Sequence, residues 1–417
     1  MLAAAGAVNA AEAARRSPRS GPVALGGTGG TLLVTLDPRS PTPQRLGVFR
    51  VPGEPVPITA ELDLLHLDPL AVAEGAWTDF TAALNAAGAA RHLLPVVGAI
   101  AAIDAGELTG LPGIAEFLLL REIREAATSG RWQRVIVDLS GTDHFTLLRA
   151  PTVLAAATDR LWPRPLRMAE SAEKPALAPL AAAIDAIHRD CMDLAELLTD
   201  PSITAAHLVV SGGERGTQTA PDQLAITEVM GLPLRSTLVN AGPGGLPTEA
   251  VSEAVRATLG RDAGSSISIR DVPRQETEPA RLSQLRRLGI TWPAPNGRPR
   301  GSAAARVDDV GGDGLEAEYE LRWQQSLVDP QELALGRSGD DLLVTVSGFR
   351  QPVRLPSVLR RCRVSGADWD GRQLVVRFAP DPAVWPQRPT ARAGTVETPP
   401  EPDRSRPSPD SEENDHR

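Results

Sequence analysis

Arg134-Val135-Ile136-Val137-Asp138, continuing into Leu139-Ser140-Gly141-Thr142-Asp143-His144, is the stretch that decides the fold. Three consecutive β-branched residues carry no helical period and predict a strand buried on both faces, as inside a parallel sheet. Asp138 stands where that strand gives way to a Gly/Ser/Thr loop. In open α/β sheets the ligand crevice lies at the carboxyl ends of the strands, so a carboxylate there can face it. In phosphoryl-transfer enzymes such an aspartate helps hold Mg²⁺. The alternative reading is a strand-end residue that caps the next helix.

Working outward, Thr31-Leu32-Leu33-Val34-Thr35-Leu36 predicts a second buried strand ending in Asp37-Pro38, and residues 62–70 a third, short one. Further strands are read at 207–211 and at 236–240, the latter ending in Asn240. Helical patterns occupy residues 2–16, 71–90, 114–128, 221–229, 248–259 and 278–288. The clearest periodicity sets Leu177, Leu180, Ile184, Ile187, Cys191, Leu194 and Leu198 at steps of three and four, one face of an amphipathic helix. That stripe suits either core packing of a helical subdomain, about residues 155–200, or a partner helix. His188 and Cys191 lie three apart on it, but two residues make no metal site. Strand–helix–strand alternation from Val135 to Asn240 predicts a largely parallel sheet.

The chain has 417 residues, enough for two or three domains and a large core. Hydrophobic residues make up 42% and the mean hydropathy is −0.14, values of a soluble globular chain. No apolar run reaches the ~20 residues of a membrane span and no signal segment opens the chain, so the expectation is not transmembrane. The formal charge of −9 argues against bulk nucleic-acid binding. Cys191 and Cys362 are the only cysteines, which excludes a Cys-rich metal site and predicts a reducing, cytoplasmic setting. Lys174 is the only lysine.

Composition shifts after Trp292. Residues 293–314, rich in Pro, Gly, Ala and Asp, read as a linker. Residues 315–386 alternate in short strands with turns such as Ser338-Gly339-Asp340, predicting a small antiparallel β-domain able to fold by itself. Residues 387–417 are polar and Pro-rich and read as disordered.

In this order the parts resemble the ArsA family of anion-pump and membrane-protein-targeting ATPases. A family strand ends in Asp-Pro, matched by Asp37-Pro38. A later Pro-Gly-apolar-x-Glu segment is matched by Pro112-Gly113-Ile114-Ala115-Glu116, and the Asp-Thr-Ala-Pro-Thr-Gly-His switch by Asp138 to His144. The β-domain resembles the small-heat-shock-protein-like module of some members. The resemblance implies an α/β fold with a mostly parallel P-loop NTPase-type sheet, and ATP with Mg²⁺ as cofactors. It implies that Asp37 orients the attacking water and that Asp138 holds Mg²⁺ through water. Asn240 would face the adenine, and Thr142 and His144 would belong to a switch loop. It also implies a homodimer, or a heterodimer with a family paralogue, handling a protein or membrane client.

Several positions depart from the family. Leu139, Gly141 and Asp143 stand where it has Thr, Pro and Gly, and Arg39-Ser40 follow the first Asp-Pro in place of Ala-His. A P-loop needs backbone N–H groups around the phosphates and a lysine on the β and γ oxygens. No Gly-x-x-x-x-Gly-Lys-Ser/Thr occurs. Gly26-Gly27-Thr28-Gly29-Gly30-Thr31 precedes a strand rather than a helix and reads as a surface loop. Two expectations follow: an ATPase whose phosphate loop precedes Met1, or a non-hydrolysing paralogue that partners a complete member. A nucleotide-independent chaperone is the third. Arsenite, which needs clustered thiolates, is excluded as substrate, and so is a Cys-x-x-Cys zinc bridge between subunits.

Overall fold

The computed structural model describes residues 1–16, 30–86, 103–262, 267–272, 274–298 and 305–385. The tail 387–417, most of the glycine-rich loop and part of the linker, read above as disordered, surface loop and connector, lie outside the described residues.

Two sheets with parallel strands form the front of the molecule. In the first, β1 (Gly30–Thr35) runs parallel between β3 (Leu62–His66) and β4 (Trp132–Asp138). All six residues of β1 are buried, as its unbroken apolar run requires. β2 (Pro55–Thr59) adds an antiparallel edge, the one place in a sheet where Pro55 and Pro57 cost little. The second sheet orders β5 (Ala206–Ser211), β6 (Leu234–Asn240) and β7 (Ser268–Val272), all parallel. The expectation of one sheet is therefore corrected. Among the described residues the segment between Asp138 and Ala206 supplies helices and no strand, so β4 and β5 are each a sheet edge.

Helix α1 (Leu2–Arg16) ties the two sheets together. Its Ala4, Ala5, Ala7, Val8 and Ala11 share a core with Leu33, Leu62 and Leu64 of the first sheet and with Leu238 and Val272 of the second. The small residues let it lie close. At Gly6 a Cβ would fall 1.9 Å from the indole of Trp292. That indole in turn packs, tilted by 34°, against His207 of β5 at 4.8 Å between centroids.

His207 carries a pH dependence. Burial first, then the charges of Arg235 and of Arg134 on β4, push its pKa from 6.5 down to about 4. Below pH 6.5 the unfolded chain takes up a proton that the folded chain refuses until about pH 4. The stability His207 permits is therefore complete above pH 6.5 and lost as pH falls across that window, on the order of 3 kcal/mol. Denaturant midpoints at pH 7 and pH 4.5 should differ less in His207→Gln than in the parent chain. Equal pH slopes would show that His207 is not held neutral.

Within the first sheet's segment come α2 (Thr42–Leu46), α3 (Pro69–Ala86), α4 (Ala105–Leu108) and α5 (Ile114–Thr128), and α6 (His144–Leu161), α7 (Arg164–Glu173) and α8 (Ala178–Thr199) follow β4 in the chain before β5. The predicted stripe is the buried face of α8. Ile187, Cys191, Leu194 and Leu198 pack with Leu147 and Leu154 of α6, and His188 meets Thr158 Oγ1 at 3.1 Å. The helical layer begins at His144, earlier than residue 155, because Asp143 caps α6 with a 3.3 Å bond from the Thr146 N–H. Helices α9 (Gly213–Val229), α10 (Glu249–Leu259) and α11 (Leu282–Arg287) flank the second sheet and α1.

The C-terminal β-domain is a pair of antiparallel sheets. β10 (Leu333–Ser338), β11 (Asp341–Val346) and β12 (Phe349–Arg354) make one. The other orders β13 (Cys362–Trp369), β14 (Gln373–Pro380), β9 (Glu318–Gln324) and β8 (Arg306–Gly311). Leu321, Trp323, Val344, Val346, Val376 and Phe378 fill the space between them. The linker expectation is corrected at β8, which pairs with β9 and packs Val307 onto this core despite its Asp/Gly composition. The core also takes in Ala225 and Val229 of α9.

Candidate functional site

The carboxyl ends of β1, β3 and β4 converge beside the N-terminus of α1. Parallel pairing sets Thr35 level with Asp138, so Asp37 follows β1 next to the loop that leaves β4. The Asp138 carboxylate is largely buried and accepts from the Ser140 N–H at 3.1 Å. The amine of Met1, at the head of α1, lies 3.7 Å from its other oxygen. Asp37 accepts from the Arg39 N–H at 2.8 Å.

The loop 138–144 reaches back to Asp37 through Gly141. A Cβ there would stand 2.5 Å from the Asp37 carboxyl carbon, and the residue has φ +79°. Both facts explain the departure at this position. Proline holds φ near −65°, so a family-type proline cannot take this conformation, and any larger residue would push Asp37 away. Thr142 closes the turn, its hydroxyl donating to the Leu139 carbonyl at 2.7 Å. His144 opens α6. Burial lowers its pKa, against the pull of Asp143, and its ring packs on Phe145 at 4.3 Å.

Thus Asp37, Asp138 and Thr142 come together around one loop, with His144 at its exit. Asn240 stands apart at the carboxyl end of β6 in the second sheet, its amide oxygen accepting from the Gly242 N–H at 3.1 Å. Lys174 ends α7 in the helical layer.

Two residues at the site were not read from the sequence. His66, at the end of β3, is buried and meets Thr35 Oγ1 at 3.2 Å. Burial, then Arg50, lowers its pKa, against Asp68 and Asp37. Arg50 donates to the Ser40 carbonyl at 2.7 Å, clasping the loop after Asp37. The position of His66 at a strand's carboxyl end was the available signal; Arg50 lies in a loop with none. Among the described residues no group of three or more His, Cys, Asp or Glu is placed to hold a metal ion, and no helix is long and apolar enough to cross a membrane.

Residues 316–378 match the family model described as an HSP20-like domain found in ArsA. The chain is 32% identical over 390 residues to Protein Rv2184c of Mycobacterium tuberculosis, with 85% of this chain and 90% of that relative covered. It is 33% identical over 356 residues to the uncharacterized protein SCO2128 of Streptomyces coelicolor, covering 80% of this chain and 86% of that one.

Proposed function

Because the chain belongs to the ArsA family, in the form with a C-terminal HSP20-like domain, we propose that its Asp37–Asp138 site handles Mg²⁺–ATP and passes the nucleotide state to a client through α6. One observation carries this reading: two strand-end carboxylates, a loop touching one of them and the N-terminus of a long helix meet at the carboxyl edge of parallel strands. The unpaired edges of β4 and β5 support it further. A strand laid between them and turning into α1 would join the two sheets and bring a phosphate loop to Asp138.

The residues present fit one half of the ligand. Asp138, its largely buried carboxylate standing at the carboxyl end of β4, would hold Mg²⁺ through water, and the ion would draw charge from the phosphates. Asp37, anchored by the Arg39 N–H and covered by Gly141, would accept a proton from a water and aim its oxygen. Asn240 would lie against the base. The phosphate cradle is the half these 417 residues do not supply: they hold no Gly-x-x-x-x-Gly-Lys-Ser/Thr, and their one lysine, Lys174, lies at the end of α7.

That gap favours a second reading, a non-hydrolysing partner of a complete family member. Calorimetric titration of Mg²⁺–ADP tests the nucleotide site, and phosphate release then separates the two readings. The chain as it stands should bind weakly. A chain extended ahead of Met1 by a strand and Gly-Lys-Gly-Gly-x-Gly-Lys-Thr should bind tightly, with Mg²⁺ dependence lost in Asp138→Asn. Equal, weak binding by both chains would sink the nucleotide reading.

A further inference from the structure

The HSP20-like domain lies along the helix that leaves the site. Its β11–β12 hairpin turns at Ser347-Gly348, both with positive φ, and the Ser347 hydroxyl donates to Asp222 of α9 at 2.9 Å. Next to the turn, Phe349 packs on Phe145 at 5.9 Å, one residue past His144. The Arg149 guanidinium sits 5.0 Å over the Phe349 ring and donates to the Arg350 carbonyl at 3.0 Å. At the hairpin's open end Asp341 is buried and paired with Arg160, while Arg354 reaches Asp341 at 3.3 Å and Asp159 at 3.5 Å. The contacts therefore run from the first turn of α6 to its last. From Phe145 to Arg160 the helix rises about 22 Å and from Phe349 to Arg354 the strand about 17 Å, so the hairpin spans most of the helix.

We propose that this hairpin is a latch on α6, so that docking of the HSP20-like domain and the conformation of the 138–144 loop form one linked equilibrium. A helix moves as a body. Any shift of its first turn that follows a change in the loop drags Arg149 from Phe349 and Arg160 from the buried Asp341, which is costly to leave with fewer partners. By reciprocity, releasing the hairpin frees the loop. The mechanical coupling stands without nucleotide; only the statement that nucleotide drives it rests on the function proposed above.

The test is hydrogen exchange on the full 417-residue chain without nucleotide, in Phe349→Ala and separately in Arg354→Gln. Both substitutions are on the hairpin, some 200 residues from the amides that matter, so local helix propensity does not enter. The amides of Thr146 and Leu147, which bond to Asp143, should exchange about tenfold faster in Phe349→Ala, and less so in Arg354→Gln. Protection in β9 and β14 should persist, showing that the β-domain is still folded. Unchanged exchange at Thr146 and Leu147 in both variants would overturn the latch, whether or not the hairpin itself loosens. A second arm adds Mg²⁺–ATP to the extended chain. If nucleotide leaves residues 341–354 unaffected while Phe349→Ala still deprotects α6, the latch holds and the nucleotide reading fails.

Discussion

Mixed with Mg²⁺–ATP, the 417-residue chain is expected to release phosphate no faster than its own Asp138→Asn variant. Asp37 and Asp138 act on phosphates that something else must hold, and the sole lysine sits at the end of α7. Positioning and charge stabilisation by a phosphate loop are together worth several kcal/mol at the transition state, on the order of a thousandfold in rate or more. Joining a strand and Gly-Lys-Gly-Gly-x-Gly-Lys-Thr ahead of Met1 should raise turnover by that factor, and Asp138→Asn in the extended chain should remove it again. The extension attaches at Met1, whose nitrogen lies 3.7 Å from Asp138, so the added loop would begin beside that carboxylate. Robust turnover by the unextended chain would mean that another group neutralises the phosphates; Arg50, close to the Asp37 loop, would be the first to replace. An extended chain that binds Mg²⁺–ATP yet releases no phosphate would favour the non-hydrolysing partner. Asp37, freed from its water, would then serve mainly to seat Gly141.

Where the sequence was legible, one physical signal governed the segment. β4 carries three consecutive β-branched apolar residues and β1 an unbroken buried run, neither with a competing period, and Asp37 and Asp138 sit where the runs stop. The α8 stripe was equally plain, because seven apolar residues at helical spacing leave no strand reading. Legibility failed where two signals compete. Pro221 argues against helix, yet α9 begins eight residues before it, at Gly213. There the close approach of Gly216 to the Ser211 carbonyl, which a Cβ would meet at 1.7 Å, lets the helix pack on β5. Residues 306–311 look like linker because Asp and Gly are poor strand formers, and only pairing with β9 makes them a strand. The division into two sheets, the clasp of Arg50 and the burial of His66 are tertiary facts with no local signature. The same holds for the hairpin on α6, since Phe349 and Arg149 are 200 residues apart.

The largest stability effect is expected at the seam between the HSP20-like domain and α9. Glu228, the last but one residue of α9, is buried, and its two carboxylate oxygens accept from the backbone N–H groups of Ser326 at 3.1 Å and Leu327 at 2.7 Å. Around it, Ala225 and Val229 complete the core of the β-domain. Glu228→Ala would strip both donors of their partner in a dry setting. Hydrogen bonds to a charged group contribute roughly 1.5–3 kcal/mol each, so the loss of two should be about 3–6 kcal/mol, a large part of the ~5–15 kcal/mol that holds a domain folded. Glu228→Gln keeps one carbonyl acceptor but turns an amide N–H₂ toward the second donor, and should fall between. Urea denaturation followed by tryptophan fluorescence reads the effect, since three of the seven tryptophans, Trp323, Trp369 and Trp385, lie in the β-domain and supply its share of the signal. In Glu228→Ala that signal should separate from the unfolding of the rest of the chain and come first. Residues 305–386 expressed alone keep β8 but lack Glu228, Ala225 and Val229 together, so the fragment should melt below the same domain within the full chain. A Glu228→Ala midpoint within about 1 kcal/mol of the parent, with a single transition, would show that the seam contributes little and that the β-domain stands on its own core.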